Sequence, residues 1–391
     1  MKTVYLEPAW KLRETSYIQA YFLYPPKGYR FISSPGVQNK AWGFFSKFGI
    51  SFSIQWTLAR FMPIQLVKSY IERFKQPPKE AILTYALDHL VLRKEPWILE
   101  MTFELPWILC GSEAQLKKFK GTIKKALNLR YLKKIIFQIE LGKEAFLHEY
   151  GEDLREKTDV VARAEILKHF KKNYNKDRVK ILFVNSGNRT DERTFYTKGG
   201  AEVVEAFLRL QEIYRDDVEL VLRTVMPKKV KERLSHYRNI KSIERIIPLE
   251  ELEREWKSAD IFVHPHYGNM SHVIIEALSY GLPVVTTDAW ATPELIEDGK
   301  TGFLVHNPKA TRFTEGTLFH FLDPKYIREI MKGPDPQIVE GLVEKLSILI
   351  ENYELRRRMG ETARKEVNRG RFSLKRRNEK LLRILEAATD R

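Results

Sequence analysis

HPHYGNMSHVIIEALSYGLPVVTTDAWATPELIEDGKTGFLV, residues 264–305, follows directly on the apolar triplet Ile261-Phe262-Val263. The triplet predicts a buried strand that ends near Val263. A loop of small and polar residues comes next. A helix then starts at Ser271 or His272, carries Ile274, Ile275, Ala277 and Leu278, and stops at Gly281, a natural C-cap residue. Pro283 to Thr287 is the following strand. This order places free backbone N–H groups and the positive end of a helix dipole at the carboxyl edge of a parallel sheet, where anionic and nucleotide ligands bind in such folds. Glu276 falls about one turn into the helix. A carboxylate there can accept two hydrogen bonds from vicinal hydroxyls, such as those of a ribose. It can equally serve as an ordinary helix-start carboxylate that favours the dipole. The residues alone leave both readings open.

The same alternation extends on both sides. Val179 to Val184 reads as a buried parallel strand, Ala201 to Tyr214 as an amphipathic helix, and Val218 to Leu222 as the next strand. Val230 to Tyr237 and Leu249 to Ser258 suit two more helices. Strands alternating with helices predict a parallel, doubly wound α/β sheet. The first half is less regular. Ile82 to Tyr85, Trp97 to Met101 and Lys134 to Gln138 predict strands, and Glu113 to Leu127 a helix with lysines on its wet sides. Residues 142 to 178 are highly charged and are expected to carry the crossover between domains. The tail from Ser373 to Ala388 is an amphipathic helix with Leu381, Leu382, Ile384 and Leu385 on its apolar side.

With 391 residues, 43% apolar and 30% charged, the chain suits two globular domains rather than a disordered polymer. No apolar run reaches membrane-spanning length, and the N-terminus lacks the apolar core of a signal peptide. Cys110 is the only cysteine, so neither an intrachain disulfide nor a thiolate metal cluster is possible, and a cytoplasmic location is expected. The net charge of +16 is uneven: residues 1–130 carry +11 and the remainder +5. An anionic surface or ligand met by the first domain follows. From Thr15 to Ile71 there is no Asp or Glu, but there are six basic and fourteen aromatic residues, among them Trp42, Phe45 and Trp56. That composition suits an anionic membrane surface, with the chain peripheral on its inner face, or a lipid-phosphate acceptor. An aromatic core under a solvated basic face is the alternative.

The stretch 264–305 resembles the donor-site signature of glycosyltransferase family 4: Glu276-Ala277, Gly281-Leu282-Pro283-Val284-Val285, Pro293-Glu294 and Asp298-Gly299-Lys300-Thr301-Gly302 all match it. A second segment, from Phe183-Val184-Asn185-Ser186-Gly187-Asn188-Arg189 through Arg193 to Lys198-Gly199-Gly200, resembles that family's strand, glycine loop and Lys-Gly helix start. The resemblance implies a GT-B fold, with two Rossmann-like domains whose parallel sheets face each other across a cleft. It implies an acceptor domain of residues 1–160, a donor domain of 161–373, and a C-terminal helix, 374–391, that crosses back to the first domain. The implied reaction is transfer of a sugar from a nucleotide-diphosphate sugar to a hydroxyl acceptor, with retention and without a metal or other cofactor. Glu276 would then bind the ribose. Asn269, Met270, Ser271 and His272 would offer backbone amides to the sugar and diphosphate. Lys198 with Arg193 or Arg189, beside Gly187, would hold the diphosphate as negative charge develops on the leaving group. In the first domain, His89 is a candidate polar group near the sugar, and Glu100 or Glu104 for the acceptor hydroxyl.

The pattern departs from the family at one point. The family usually has a second Glu eight positions before the ribose-binding one, and Gly268 stands there. Two other functions fit parts of the sequence: a nucleotide-sugar epimerase of the same fold, and a non-catalytic basic binding protein. No acid/base pair for the former stands out, and no nucleic-acid module supports a nucleic-acid partner. His264, His266 and His272, spaced by two and six, do not share one face, so no metal site is expected.

Overall fold

A computed structural model of the protein describes residues 1–8, 16–33, 61–101, 113–175, 177–185, 192–245, 247–268, 272–310 and 324–389. The chain divides into two compact units, residues 1–166 with 371–391, and residues 167–370. Each is built on a parallel six-stranded sheet.

The first sheet has the order β2-β1-β3-β4-β5-β6, with β1 at Lys2–Pro8, β2 at Tyr29–Ile32, β3 at Ala81–Leu87, β4 at Trp97–Met101, β5 at Leu132–Phe137 and β6 at Thr158–Val160. The described helices of this unit are α1 (Ser16–Leu23), α2 (Ile64–Glu72), α3 (Glu113–Leu127), α4 (Glu140–Tyr150) and, from the far end of the chain, α14 (Leu374–Thr389). One face of the sheet, with Val4, Leu6, Leu83, Tyr85, Leu87, Ile98 and Ile136, packs against Tyr17 and Tyr21 of α1 and Leu381, Ile384 and Leu385 of α14. Burial of those three side chains of α14 contributes roughly 5–8 kcal/mol of transfer free energy before entropy is counted. Arg377 pins the same helix by donating to the carbonyls of Ala20 (3.1 Å) and Tyr24 (2.7 Å). The C-terminal helix thus belongs to the first unit, as the sequence implied.

The charged segment 142–178 is more than a crossover. It includes most of α4, whose Ala145, Phe146, Leu147 and Tyr150 are buried, and then β6, which pairs with β5. Lys143, Glu144 and Glu149 lie among those apolar residues along the helix, and their charge masks its buried face in the sequence.

The second sheet has the order β12-β11-β10-β7-β8-β9, with β7 at Val179–Val184, β8 at Val218–Arg223, β9 at Ile240–Ile243, β10 at Ile261–His264, β11 at Val284–Thr287 and β12 at Gly302–Val305. β10 and β11 are buried along their whole length, because helices cover both faces, whereas edge strand β9 is mostly exposed. The helices are α5 (Glu192–Thr197), α6 (Gly200–Tyr214), α7 (Lys228–Leu234), α8 (Leu249–Ser258), α9 (His272–Ser279), α10 (Thr292–Leu295), α11 (Pro324–Ile330), α12 (Pro336–Glu351) and α13 (Tyr353–Asn368). Val203, Val204, Phe207 and Leu210 of α6 meet Ile338, Leu342, Leu346 and Leu349 of α12 in the core of this unit. Gly281 ends α9 at φ +72°, with Leu282 N–H donating to Ala277 O at 3.2 Å. That is a left-handed helix stop, which glycine adopts without steric cost.

Candidate functional site

In the second sheet the chain leaves β7 towards β8 and β9, then returns to the other side of β7 as β10. At such a switch point, where neighbouring strands lead off to opposite sides, doubly wound sheets offer a crevice at the carboxyl ends of the strands. Asn185 ends the β7 side, Arg223 ends β8 and His264 ends β10.

The β10–α9 loop is locked to the junction between α5 and α6. Tyr267 N–H donates to Thr197 O at 3.1 Å. Gly199 sits at φ +78°, and a Cβ there would lie 2.2 Å from the carbonyl oxygen of Pro265. Only glycine fits both the backbone conformation and the close approach. Lys198, immediately before it, is half-buried at the start of α6. Its charge reaches His264 and His266. Burial, first, and then Lys198 keep the His264 imidazole well below its usual range and bring His266 down to about 3. Both rings are therefore neutral at physiological pH. His264 stacks on Phe183 (5.6 Å) and Phe262 (5.7 Å). His266 is held by Thr292 Oγ1 at Nε2 (2.8 Å) and donates from Nδ1 to Gly268 O (3.1 Å). The histidines of this loop are packing elements of a cationic crevice.

Glu276 is half-buried in α9, which His272 opens. It is the carboxylate whose charge acts on Arg223, the last residue of β8. Arg223 Nη1 donates to Asn185 O at 2.7 Å. Asn185 N–H in turn donates to Arg223 O at 2.9 Å. Arg193 lies exposed on α5. Gly187, Arg189, Asn269, Met270 and Ser271 lie outside the described residues, as does Glu104 of the first unit.

Glu202, in the first turn of α6, adds a buried carboxylate behind the loop. It accepts from Tyr267 Oη (2.5 Å) and from the backbone N–H of Asp335 (3.1 Å). Burial pushes it up to about 7, although these hydrogen bonds oppose the rise. Tyr326 Oη donates to Tyr267 O at 2.9 Å, and Lys309 pairs with Asp335 at 3.0 Å. The loop following His266 is thus held by side chains from α6 and α11.

In the first unit, Glu7, His89 and Glu100 all stand at the carboxyl edge of the sheet, at or just beyond the ends of β1, β3 and β4. Glu100 is buried. It accepts from Tyr21 Oη (2.6 Å), Tyr85 Oη (2.6 Å), Gln138 Nε2 (2.9 Å) and Tyr17 Oη. His89 is buried too, with Nδ1 3.0 Å from Leu87 O and Nε2 3.4 Å from Glu7. Glu7 also pairs with Arg93. Burial by itself would raise the Glu7 carboxyl, but the hydrogen bonds and charges of His89 and Arg93 more than reverse this and hold it at about 2. Glu7, Glu72 and His89 bring one ligand atom each within 4.8 Å of one another. Arg93 already supplies the positive partner there.

Arg223, Asn185, Tyr267 and Glu202 are not singled out by the sequence. Arg223 had one signal: a charged residue directly after the apolar run Leu220-Val221-Leu222, at the carboxyl end of a parallel strand.

The model of the family described as Glycosyl transferases group 1 matches residues 180–319, a little over a third of the chain and all within the second unit. A stretch of 124 residues is 31% identical to the sulfoquinovosyl transferase SQD2 of Arabidopsis thaliana, covering 31% of this chain and 19% of that protein. Another of 139 residues is 26% identical to spore coat protein SA of Bacillus subtilis, covering 35% and 29%. The alignments thus span less than a third of either relative. HepE from Anabaena, solved in complex with UDP, superposes over 99% of this chain and 100% of its own with a TM-score of 0.60 and 15% identity. The fold is therefore that of the GT-B class: two Rossmann-like α/β units, each on a parallel six-stranded sheet.

Proposed function

We propose that the chain is a retaining glycosyltransferase that moves a sugar from a nucleotide-diphosphate sugar to a hydroxyl acceptor. The observation that carries this is a coincidence of place. The segment matched by Glycosyl transferases group 1 contains the crevice at which Lys198, Glu276 and Arg223 meet the carboxyl ends of β7, β8 and β10. The nucleoside diphosphate lies in the second unit, its ribose diol on Glu276. Lys198, with Arg193 or Arg189, neutralises the charge that develops on the leaving diphosphate. Fixed cations in a partly dry crevice do this without a metal. The backbone amides of residues 269–272 serve the donor's phosphate and sugar. The acceptor hydroxyl loses its proton to the departing phosphate as it attacks on the same face, which gives retention.

The acceptor is assigned to the first unit, on account of its charge of +11 over residues 1–130. A lipid-linked or membrane-proximal acceptor is favoured by α2 and its flanks, where Phe61, Met62, Ile71 and Phe74 are exposed beside Lys68, Arg73 and Lys75. Exposed aromatics interleaved with cations suit an anionic lipid surface. Co-flotation with vesicles containing anionic lipid, weakened by the double substitution Phe61→Ser and Phe74→Ser, is the expected result. Flotation absent at low salt contradicts this part alone.

The transferase reading is tested by thermal shift with UDP-, GDP-, ADP- and TDP-sugars, followed by turnover of the donor that stabilises. Failure of every donor to raise Tm, together with tight salt-sensitive RNA binding, contradicts it.

A further inference from the structure

A tyrosine hydroxyl and a carboxylate meet in the apolar core behind the β10–α9 loop. Tyr267 is fully buried, and Glu202 is only 1% exposed. Tyr267 belongs to a core that includes Phe195, Val203 and Ile330. Its Oη donates to Glu202 Oε1 at 2.5 Å, and the same oxygen accepts from the backbone N–H of Asp335 at 3.1 Å. Glu202 Oε2 is buried and has no hydrogen-bond partner among the described residues. An apolar pair of similar size would avoid that cost. What an apolar pair lacks is direction. Hydrogen bonds in a low-dielectric core fix one geometry, where apolar packing tolerates several.

The pair joins two segments that matter for the diphosphate. Glu202 follows Lys198 closely in sequence and lies in the first turn of α6. Tyr267 lies in the loop that runs from β10 to α9. Its backbone is tied to the same junction: the N–H donates to Thr197 O at 3.1 Å, and Pro265 O abuts Gly199. The bond to Glu202 is a further tie between loop and α6, made by side chains, and a single oxygen atom controls it.

We propose that Glu202 and Tyr267 are positioning residues of the diphosphate site: their hydrogen bond sets the spacing between Lys198 and the β10–α9 loop, and so selects a nucleoside diphosphate over a monophosphate. This builds on the diphosphate role of Lys198 and of the loop given above. A lysine is a point charge on a flexible stem. It distinguishes the outer phosphate only where the loop across from it is held at a matching distance. Hydrogen bonds to phosphate weaken as donor and acceptor move apart or out of line. Both residues are buried, so they act through the backbone of the loop and not by touching the nucleotide.

The ratio of diphosphate to monophosphate affinity tests the assignment, because a loss of stability alone would weaken both ligands together. The full chain is titrated with UDP, GDP and ADP, and the tightest of them is compared with its monophosphate. The wild type is expected to prefer the diphosphate by about tenfold or more, the worth of a hydrogen bond to a charged group. Tyr267→Phe, which removes only the hydroxyl, should reduce that preference at least about fivefold, with monophosphate affinity nearly unchanged. Glu202→Met should do the same, and the double variant should be no worse than either, since coupled residues are not additive. Glu202→Gln still offers an oxygen to Tyr267 and should restore most of the preference that Glu202→Met loses. If Glu202→Met does not fold, Tyr267→Phe and Glu202→Gln carry the comparison. Parallel loss of both affinities in Tyr267→Phe, or an intact preference there, overturns the assignment. So does a preference lost in Glu202→Gln as fully as in Tyr267→Phe. A wild type that binds none of the three diphosphates, or binds mono- and diphosphate equally, overturns the diphosphate site itself and this assignment with it.

Discussion

Lys198 and Glu202 illustrate two kinds of work done by single residues near one loop. Lys198 holds positive charge next to two neutral histidines. If it stabilises the leaving diphosphate, Lys198→Ala should lower kcat/KM by about 10²–10³-fold, comparable to the loss of one oxyanion-stabilising donor. Steady-state kinetics with the active donor check this, and an unchanged kcat/KM contradicts it. Glu202 has a stability signature. Its folded pKa of about 7 lies above the ordinary value of 4.5. Below 4.5 both folded and unfolded chains are protonated. Between 4.5 and 7 the folded chain keeps a proton that the unfolded chain releases, so stability falls as pH rises through that window. The loss is on the order of 3 kcal/mol. Glu202→Gln should therefore gain on the wild type between pH 4.5 and 7 and hold that gain above it. The variant-minus-wild-type difference in denaturant unfolding is the measure, because His264 and His266 act in the opposite sense in both proteins. A pH-independent difference contradicts the assignment. Of these residues, Lys198 was legible because it lies in a contiguous Lys-Gly-Gly pattern. Glu202 was not, since an acidic residue in a first helical turn reads as an ordinary dipole partner, and its burial comes from Tyr267 and Asp335, far away in sequence.

At the scale of elements, the junction between the start of α6 and the β10–α9 loop is a tightly constrained piece of backbone. Gly199→Ala adds a Cβ against Pro265 O in a left-handed backbone conformation. It should destabilise by about 1–3 kcal/mol and move the loop that begins at Pro265. Denaturant unfolding and nucleotide affinity should both register the change, and an unperturbed protein contradicts the close approach. The sequence discloses those elements whose apolar residues are broken by one charge at most, such as β7 with Lys180, β8 with Glu219 and β10. It hides β1, which carries a lysine at one end and Glu7-Pro8 at the other. It hides α4 as well, because charged neighbours surround its four buried residues. Glu100 was visible as a carboxylate at a strand end. Its cage of three tyrosines and Gln138 was not, because those partners come from α1, β3 and the end of β5.

For the whole molecule, the second unit was readable from alternating strands and helices and from one contiguous signature, whereas the first unit emerges only when distant segments pair. The α14 helix is the clearest instance: its apolar stripe is plain in the sequence, but its place on the first sheet depends on contacts such as Arg377 to Ala20 and Tyr24. The asymmetry of charge between the halves and the crevice at Glu276 lead to one central claim, transfer from a nucleotide-diphosphate donor bound in the second unit. The most direct test is thermal unfolding of the full chain with and without UDP, GDP, ADP and TDP and their sugars, repeated with Glu276→Gln. At a donor concentration about 100 times its Kd, the wild type should gain about 2.7 kcal/mol from at least one of them, and the variant should lose most of that gain. Stabilisation of neither protein by any nucleotide, or equal stabilisation of both, contradicts it.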